Sequence, residues 1–242
     1  METTTKAIAF RQEILKLWDH VLQVVYPRIC PGCHVTAVNG NHSFCMDCIG
    51  ELPFTDHFLC PENEVSRHFY GRANLANAGA LLYFRQESRV QEIIHDIKYR
   101  RNKDAAYTLG LIAGYKIRES ALYSGIEVMI PVPLHPSREF KRGYNQSAVF
   151  GFGIREITGI HLDNHALKKL KASDTQTRKD RIGRVQNMSD TISLSDCSAV
   201  KDRHVLLLDD VVTTGATLEA CIQSVFQGQP ASVSVLTIAV TT

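Results

Sequence analysis

Residues 205–217 read Val-Leu-Leu-Leu-Asp-Asp-Val-Val-Thr-Thr-Gly-Ala-Thr. The four aliphatic residues 205–208 have the length and branching of a strand buried on both faces of a parallel sheet, and the sequence from Leu218 onward reads as a helix. The turn between them therefore lies at the carboxyl end of a strand, where open α/β sheets bind ligands. Gly215 is free to take φ > 0 there. The N–H groups of Thr214, Gly215, Ala216 and Thr217, beside the threonine hydroxyls, make a nest for a phosphate at a helix N-terminus. Asp209 and Asp210 only accept hydrogen bonds, so their natural partners are sugar hydroxyls or a metal ion. Together the two halves describe a site for ribose 5-phosphate. The plain alternative is a strand-turn-helix with an acidic edge, but adjacent carboxylates beside such a turn have little packing purpose.

A second strand-loop-helix junction precedes this one. Residues 78–84 read as a strand, and residues 90–97 and 105–117 as two helices broken by the basic stretch 98–103, which holds Lys98, Arg100, Arg101 and Lys103. Residues 128–133 read as a strand ending in Pro131-Val132-Pro133-Leu134, whose prolines forbid further pairing and predict a rigid, exposed loop. Arg138, Lys141, Arg142, Asn145 and Gln146 follow at once. A pyrophosphate needs cations or free amides of this kind, so the cationic junction complements the acidic one. Solvation of a surface loop is the alternative.

The chain's 242 residues and 44% apolar content suit one enzyme-sized domain with an appendage. A net charge of +2 gives no global basic field that demands nucleic acid. No run of 18 apolar residues suggests a membrane span, and residues 1–29 mix acidic and basic groups, unlike a secretory signal. The expected location is cytoplasmic. Ile14, Leu17, Trp18, Val21, Leu22 and Val25 recur at helical spacing and Pro27 stops the pattern, so residues 1–27 read as an amphipathic helix.

Four of the seven cysteines form two pairs, Cys30-Pro31-Gly32-Cys33 and Cys45-Met46-Asp47-Cys48, eleven residues apart. Each knuckle brings two thiolates to one tetrahedral ion, and a short hairpin between them joins the pairs, as in structural zinc ribbons. Gly32 and Gly40 are expected to make the tight turns. Redox-active pairs or disulfides are the alternatives, which a reducing cytosol disfavours. His34 and His42 are possible substitute ligands. With four protein ligands the site is closed and structural. Cys221 sits in an apolar helical context and reads as a buried, inert thiol.

The run 205–217 resembles the signature of phosphoribosyltransferases that bind 5-phosphoribosyl 1-pyrophosphate (PRPP). That resemblance implies Asp209 and Asp210 on the ribose hydroxyls, with Thr213, Thr214, Gly215, Ala216 and Thr217 on the 5-phosphate. It narrows to the ComF family of competence-associated, amidophosphoribosyltransferase-like proteins. The elements that carry it are the double CxxC, Ile97-Lys98-Tyr99, Pro131-Val132-Pro133-Leu134, Arg142-Gly143-Tyr144-Asn145-Gln146, and the segment with Gln176, Arg181 and Asn187. One departure stands out: family members commonly carry a further CxxC, whereas Cys60-Pro61-Glu62-Asn63 keeps one cysteine. The implied fold is α/β, a type I phosphoribosyltransferase-like parallel sheet flanked by helices, with a small N-terminal four-cysteine zinc module. The expected divisions are 1–27, 28–60 and 75–242.

Residues 168–184 hold seven Lys or Arg against two Asp and read as a cover loop over the sugar site. Its clustered cations, Lys168 and Lys169 among them, also suit a nucleic-acid backbone, as do Lys98, Arg100, Arg101 and Lys103. Tyr99 and Tyr144 are the nearest aromatics on which a base could stack. Two functions from different classes remain. One is a PRPP-binding protein that handles single-stranded DNA with DNA-uptake machinery. The other is an enzyme that transfers phosphoribosyl from PRPP to a nitrogen nucleophile with release of pyrophosphate, helped by Mg2+. No residue identifies the nucleophile or a general base for it.

Overall fold

The computed structural model describes residues 27–38, 43–169 and 192–241. The expected N-terminal helix over 1–27 therefore lies almost wholly outside the described residues. The chain divides into two compact units, Met1–Glu51 and Leu52–Thr242.

In the first unit, strands β1 (Arg28–Ile29) and β2 (Ala37–Val38) pair antiparallel around the first cysteine knuckle, and the short helix α1 (Met46–Gly50) follows the second. Cys30 donates its N–H to Thr36 O at 2.9 Å and its carbonyl accepts from His34 N–H at 2.8 Å. The left-handed position of this turn falls on His34, at φ 54°, and not on Gly32 as expected. Histidine tolerates that region better than most side chains. Among the described residues of this unit, Val38, Phe44 and the buried cysteines Cys30 and Cys48 are the apolar interior. Metal ligation would add to what this burial supplies.

The second unit is built on five parallel strands. Their spatial order is β3 (Asn77–Phe84), β9 (Ser232–Thr241), β8 (His204–Val212), β4 (Val128–Pro131) and β5 (His161–Leu162). Residues 205–208 and 233–240 are essentially free of solvent, which is why they read as near-continuous apolar runs. Helices α4 (Lys103–Glu119) and α6 (Gln146–Thr158) pack together, and the Leu208 side chain lies beneath Gly151 of α6. Val205 and Leu207, on alternate positions, join the cluster around Leu218, Cys221, Ile222 and Val225 of α7 (Ala216–Phe226). The alternation places helices on both faces.

The outer edge of β3 is covered by the chain that precedes it. Thr55 N–H donates to Leu81 O at 3.0 Å, Ala80 N–H to His57 Nδ1 at 3.2 Å, and Asn63 Nδ2 to Ala78 O at 2.8 Å. Asn63 also caps helix α2 (Glu64–His68) through a reciprocal bond with Ser66. These contacts satisfy edge groups that would otherwise recruit another strand.

Three boundaries differ from the sequence reading. Strand β8 runs to Val212 and so contains both aspartates, because β9 continues to pair with it through Asp209↔Thr237 and Val212↔Val240. The basic stretch 98–103 is half helical: α3 (Arg89–Tyr99) includes Lys98, α4 starts at Lys103, and the break is residues 100–102 with Arg101 at φ 58°. The proline loop is not exposed where it begins. Pro131 and Val132 are buried, and Val132 N–H donates to Leu208 O at 2.8 Å, because Pro131 lacks the donor but Val132 keeps one.

Strands β6 (Leu167–Lys169) and β7 (Ile192–Leu194) pair antiparallel. Residues 170–191 lie outside the described residues, and with them most of the expected cover loop, including Gln176 and Arg181. From β4 the chain goes on to β5 on one side, and from β8 to β9 on the other. The connections thus diverge between β4 and β8, and such a switch point opens a crevice at the carboxyl ends of the strands.

Candidate functional site

Strand β8 delivers Asp209 and Asp210 to that crevice. Asp209 Oδ1 accepts from Asp210 N–H at 2.8 Å and from the Ser147 hydroxyl at 3.3 Å. Asp210 Oδ1 accepts from Val211 N–H at 2.7 Å, and its Oδ2 lies 3.1 Å from Lys98 Nζ. Asp209 Oδ2 makes no hydrogen bond among the described residues, so one carboxylate oxygen remains for a hydroxyl donor. Burial first, then the neighbouring Asp210 carboxylate, push the Asp209 carboxyl up to about 7. The Asp210 N–H, the Lys98 ammonium and the Ser147 hydroxyl oppose that shift.

After Val212 the chain turns through Thr213 and Thr214, and Gly215 caps α7 at φ 75°, a conformation that a side chain would strain. A Cβ there would only touch the Phe69 ring, at 3.4 Å, so the constraint is the backbone conformation. The turn encloses a hollow of about 50 Å3 lined by Asp209 and residues 211–218, Ala216 and Thr217 included. It has room for one small group and none for a base. Ala216 N–H donates to Thr214 Oγ1 at 3.4 Å.

At the neighbouring junction, the short helix α5 (Pro136–Arg142) and α3 together wall a cleft of about 410 Å3 lined by Lys98, Tyr99, Arg138, Lys141 and Arg142. The cleft is almost wholly cationic, and the Arg142 guanidinium stacks 5.8 Å from the Tyr99 ring centre. Outside the cleft, Lys103 Nζ lies 5.2 Å from the Tyr144 ring centre. Arg142 also donates to Gln146 Oε1 at 3.0 Å. Gln146 is buried and holds that arginine in place. Asn145 caps α6 and donates to Val132 O at 2.9 Å, which ties the proline loop to the helix behind it.

The sequence grouping of cations is thus redistributed. Lys98 is paired with Asp210 and belongs to this crevice, and Arg100 pairs with Asp96 at 3.3 Å. Tyr144 is no platform for a base: it is buried, its hydroxyl donates to Ile97 O, and burial pushes it up to about 12. Tyr99 is exposed. Ser147 was not foreseen; its place directly after Asn145-Gln146 was the only signal. Phe69, against the phosphate turn, had none, because it reaches the site from far away in the chain.

In the first unit the Sγ atoms of Cys30, Cys33, Cys45 and Cys48 all lie within 4.8 Å of one another, and Cys33 and Cys45 are 4.0 Å apart. A tetrahedral zinc with Zn–S near 2.3 Å sets its sulfurs about 3.8 Å apart, so the four thiols fit one structural zinc with slight contraction. Backbone N–H groups already face them. Cys45 N–H points at Cys30 Sγ at 3.4 Å, and the amides of Thr36 and Val35 hold the Cys33 thiol down to about 6. Burial pushes Cys48 the other way. Cys60 lies apart, 3.6 Å from Asp56 Oδ2, and Cys221 is fully buried. His42 is outside the described residues.

Comparisons with known proteins agree with these two parts. A phosphoribosyl transferase domain model matches residues 154–240, and a double zinc ribbon domain model matches residues 21–65. The chain is 27% identical over 146 residues to the DNA utilization protein YhgH of Shigella flexneri, covering 59% of this chain and 63% of that protein. It therefore spans less than two thirds of that relative's length. It is 37% identical over 93 residues to competence protein F of Haemophilus influenzae, 38% of this chain and 41% of that one. It is also 24% identical over 217 residues to competence protein ComFC of Bacillus subtilis, 87% of this chain and 83% of that one. Among solved structures, glutamine PRPP amidotransferase from B. subtilis aligns with TM-score 0.42 at 18% identity, over 60% of this chain and 30% of that one. A double zinc ribbon ahead of a phosphoribosyl transferase domain, together with relatives among the competence proteins, supports the reading of the chain as a ComF-family protein.

Proposed function

We propose that residues 75–242 bind PRPP as its Mg2+ complex and that the protein, working in the cytoplasm, supports DNA uptake by handling single-stranded DNA. The observation that carries the PRPP reading is the Lys98–Asp210 pair, which joins the acidic strand end to the cationic cleft. In this reading Asp209 and Asp210 take the ribose hydroxyls, and the turn from Thr213 to Thr217 takes the 5-phosphate. Arg138, Lys141 and Arg142, beside the loop of Pro131, Val132 and Pro133, face the pyrophosphate. Mg2+ would screen the charge of the pyrophosphate. The DNA part rests on the competence proteins and DNA utilization proteins to which the chain is similar.

The cationic cleft favours a second reading, because it suits a leaving pyrophosphate. An acceptor nitrogen would attack C1 of the ribose as the C1–O bond to pyrophosphate breaks, and the electron pair would leave on that oxygen. The acceptor's proton has no assigned base. One experiment tests both readings. With Mg2+ present, PRPP at about a hundred times its Kd should add about 2.7 kcal/mol of stability. That is a melting shift of roughly 2 to 4 °C per kcal/mol. Asp209→Asn or Asp210→Asn should weaken binding by about 1.5 to 3 kcal/mol, roughly tenfold to hundredfold. No shift in the parent sinks the PRPP reading. Pyrophosphate released in the presence of candidate bases or amines selects the enzyme, and a shift without release selects the binding protein.

A further inference from the structure

A roomy cavity of the second unit lies on the other side of the Pro131–Pro133 loop and shares only that loop and Asn145 with the PRPP reading. Its volume is about 650 Å3, and none of the residues that line it lines the cationic cleft or the phosphate-turn hollow. One wall is apolar, with Pro133, Leu134 and the 42% exposed Phe152 of α6. The rim is cationic. Lys103 reaches it from the start of α4, and Lys168 and Lys169 from β6, although some 65 residues of chain separate them. Glu139 is the one acid among the lining residues. Three of the six cations singled out in the sequence for nucleic acid thus meet at one pocket, next to an exposed aromatic ring.

An apolar wall with a lysine rim matches a nucleotide: the base stacks on a ring and the phosphate meets the ammonium groups. A purely apolar ligand would not match the lysine rim, and a free phosphate would leave the wall bare. We infer that this pocket binds a nucleotide unit, with the base against Phe152 and the prolines and the phosphate at Lys103, Lys168 and Lys169. The inference rests on the proposed handling of single-stranded DNA and gives it a place. It sets the strand site beside the PRPP crevice, with the Pro131–Pro133 loop between them.

The test is fluorescence anisotropy of a labelled oligothymidylate, with thymidine 5′-monophosphate as competitor and the Mg-PRPP melting shift as a folding control. Phe152→Ala should weaken oligonucleotide binding roughly 5- to 150-fold, the value of one stacked base. Phe152→Tyr should restore it. Lys103→Ala with Lys168→Ala should lower the logarithmic salt slope by about 0.7 per lost phosphate contact. The PRPP shift should stay at the parent value in every variant. Direct binding of thymidine 5′-monophosphate, read by titration calorimetry and lost in Phe152→Ala, without oligonucleotide binding assigns the pocket to a free nucleotide. Oligonucleotide binding that none of these changes weakens overturns the pocket and leaves strand handling standing. A parent that binds neither probe overturns both.

Discussion

Lys98 Nζ lies 3.1 Å from Asp210 Oδ2, with the lysine side chain 22% and the aspartate 15% exposed. The pair couples the end of α3 to the end of β8, two segments that share no local sequence. It also keeps two adjacent carboxylates from facing each other uncompensated. Removing one partner leaves the other partly buried without its counter-ion, which costs more than the pair contributes while intact. Lys98→Ala and Asp210→Asn should each destabilise the second unit by about 1 to 3 kcal/mol. In a double-mutant cycle the coupling should be at least about 0.5 kcal/mol. Denaturant midpoints would measure it, and additive losses would mean that the contact carries no energy.

Asp209 makes ligand affinity depend on pH. A carboxyl held near 7 accepts sugar hydroxyls much more strongly when it is ionised, so PRPP affinity should rise between about pH 5.5 and 8 and then level off. Asp209→Asn should flatten the profile. Stability runs the opposite way. The folded state binds this proton more tightly than the unfolded chain, whose carboxyl titrates near 3.9, so this group's contribution falls as pH rises from about 4 to about 7 and is level above that. Asp209→Asn should therefore melt higher than the parent at pH 8, with the gap closing towards pH 5. A parent profile flat across the window, or one unaffected by the substitution, would remove Asp209 from the site.

Much of this crevice was legible because its chemistry is contiguous. Strand, acidic pair, threonine turn and helix occupy residues 205–226, and local pattern alone places them in order. The partners of that segment were not legible. Lys98 sits among five other basic or polar residues, and nothing in the run distinguishes the one that reaches Asp210 from those that face solvent. Likewise Pro131 and Val132 look like an exposed loop until Val132 is seen donating to β8. Local propensity marks where a strand ends, but burial there depends on what tertiary packing lays over it.

The close approach of α4 and α6 makes a prediction far from any ligand. A Cβ at Gly110 would collide with Phe150 O, and one at Gly153 with Tyr107 O, so each helix backbone occupies the space a side chain would need on the other. Both obstacles are backbone and cannot rotate away. Gly110→Ala or Gly153→Ala should destabilise by about 1 to 3 kcal/mol through overpacking, against the modest gain alanine brings to a helix interior. The melting temperature should fall by roughly 2 to 4 °C per kcal/mol. Ligand-induced shifts should survive, because neither glycine lines the crevice. An unchanged or raised melting temperature would show that the helices separate at no cost.

The four-cysteine site makes the sharpest contrast between residues of one type. Purified protein should carry about one zinc per chain, and Cys30→Ser or Cys45→Ser should cost the metal, because the thiolates close one tetrahedral shell. Cys60→Ser should keep it, since that thiol faces Asp56 instead. Acid should release the ion as protons compete for sulfur, with Cys48 favouring its proton because burial disfavours its thiolate. Loss of zinc should loosen residues 28–51 well before the rest, because their fold is coupled to the metal while residues 52–60 are bonded to β3 of the second unit. Hydrogen exchange should therefore rise there first, while the Mg-PRPP shift remains. Metal analysis finding no zinc in protein prepared without chelator, or a disulfide between these cysteines, would overturn the assignment. Retention of zinc in Cys30→Ser together with its loss in Cys60→Ser would move the site to other ligands.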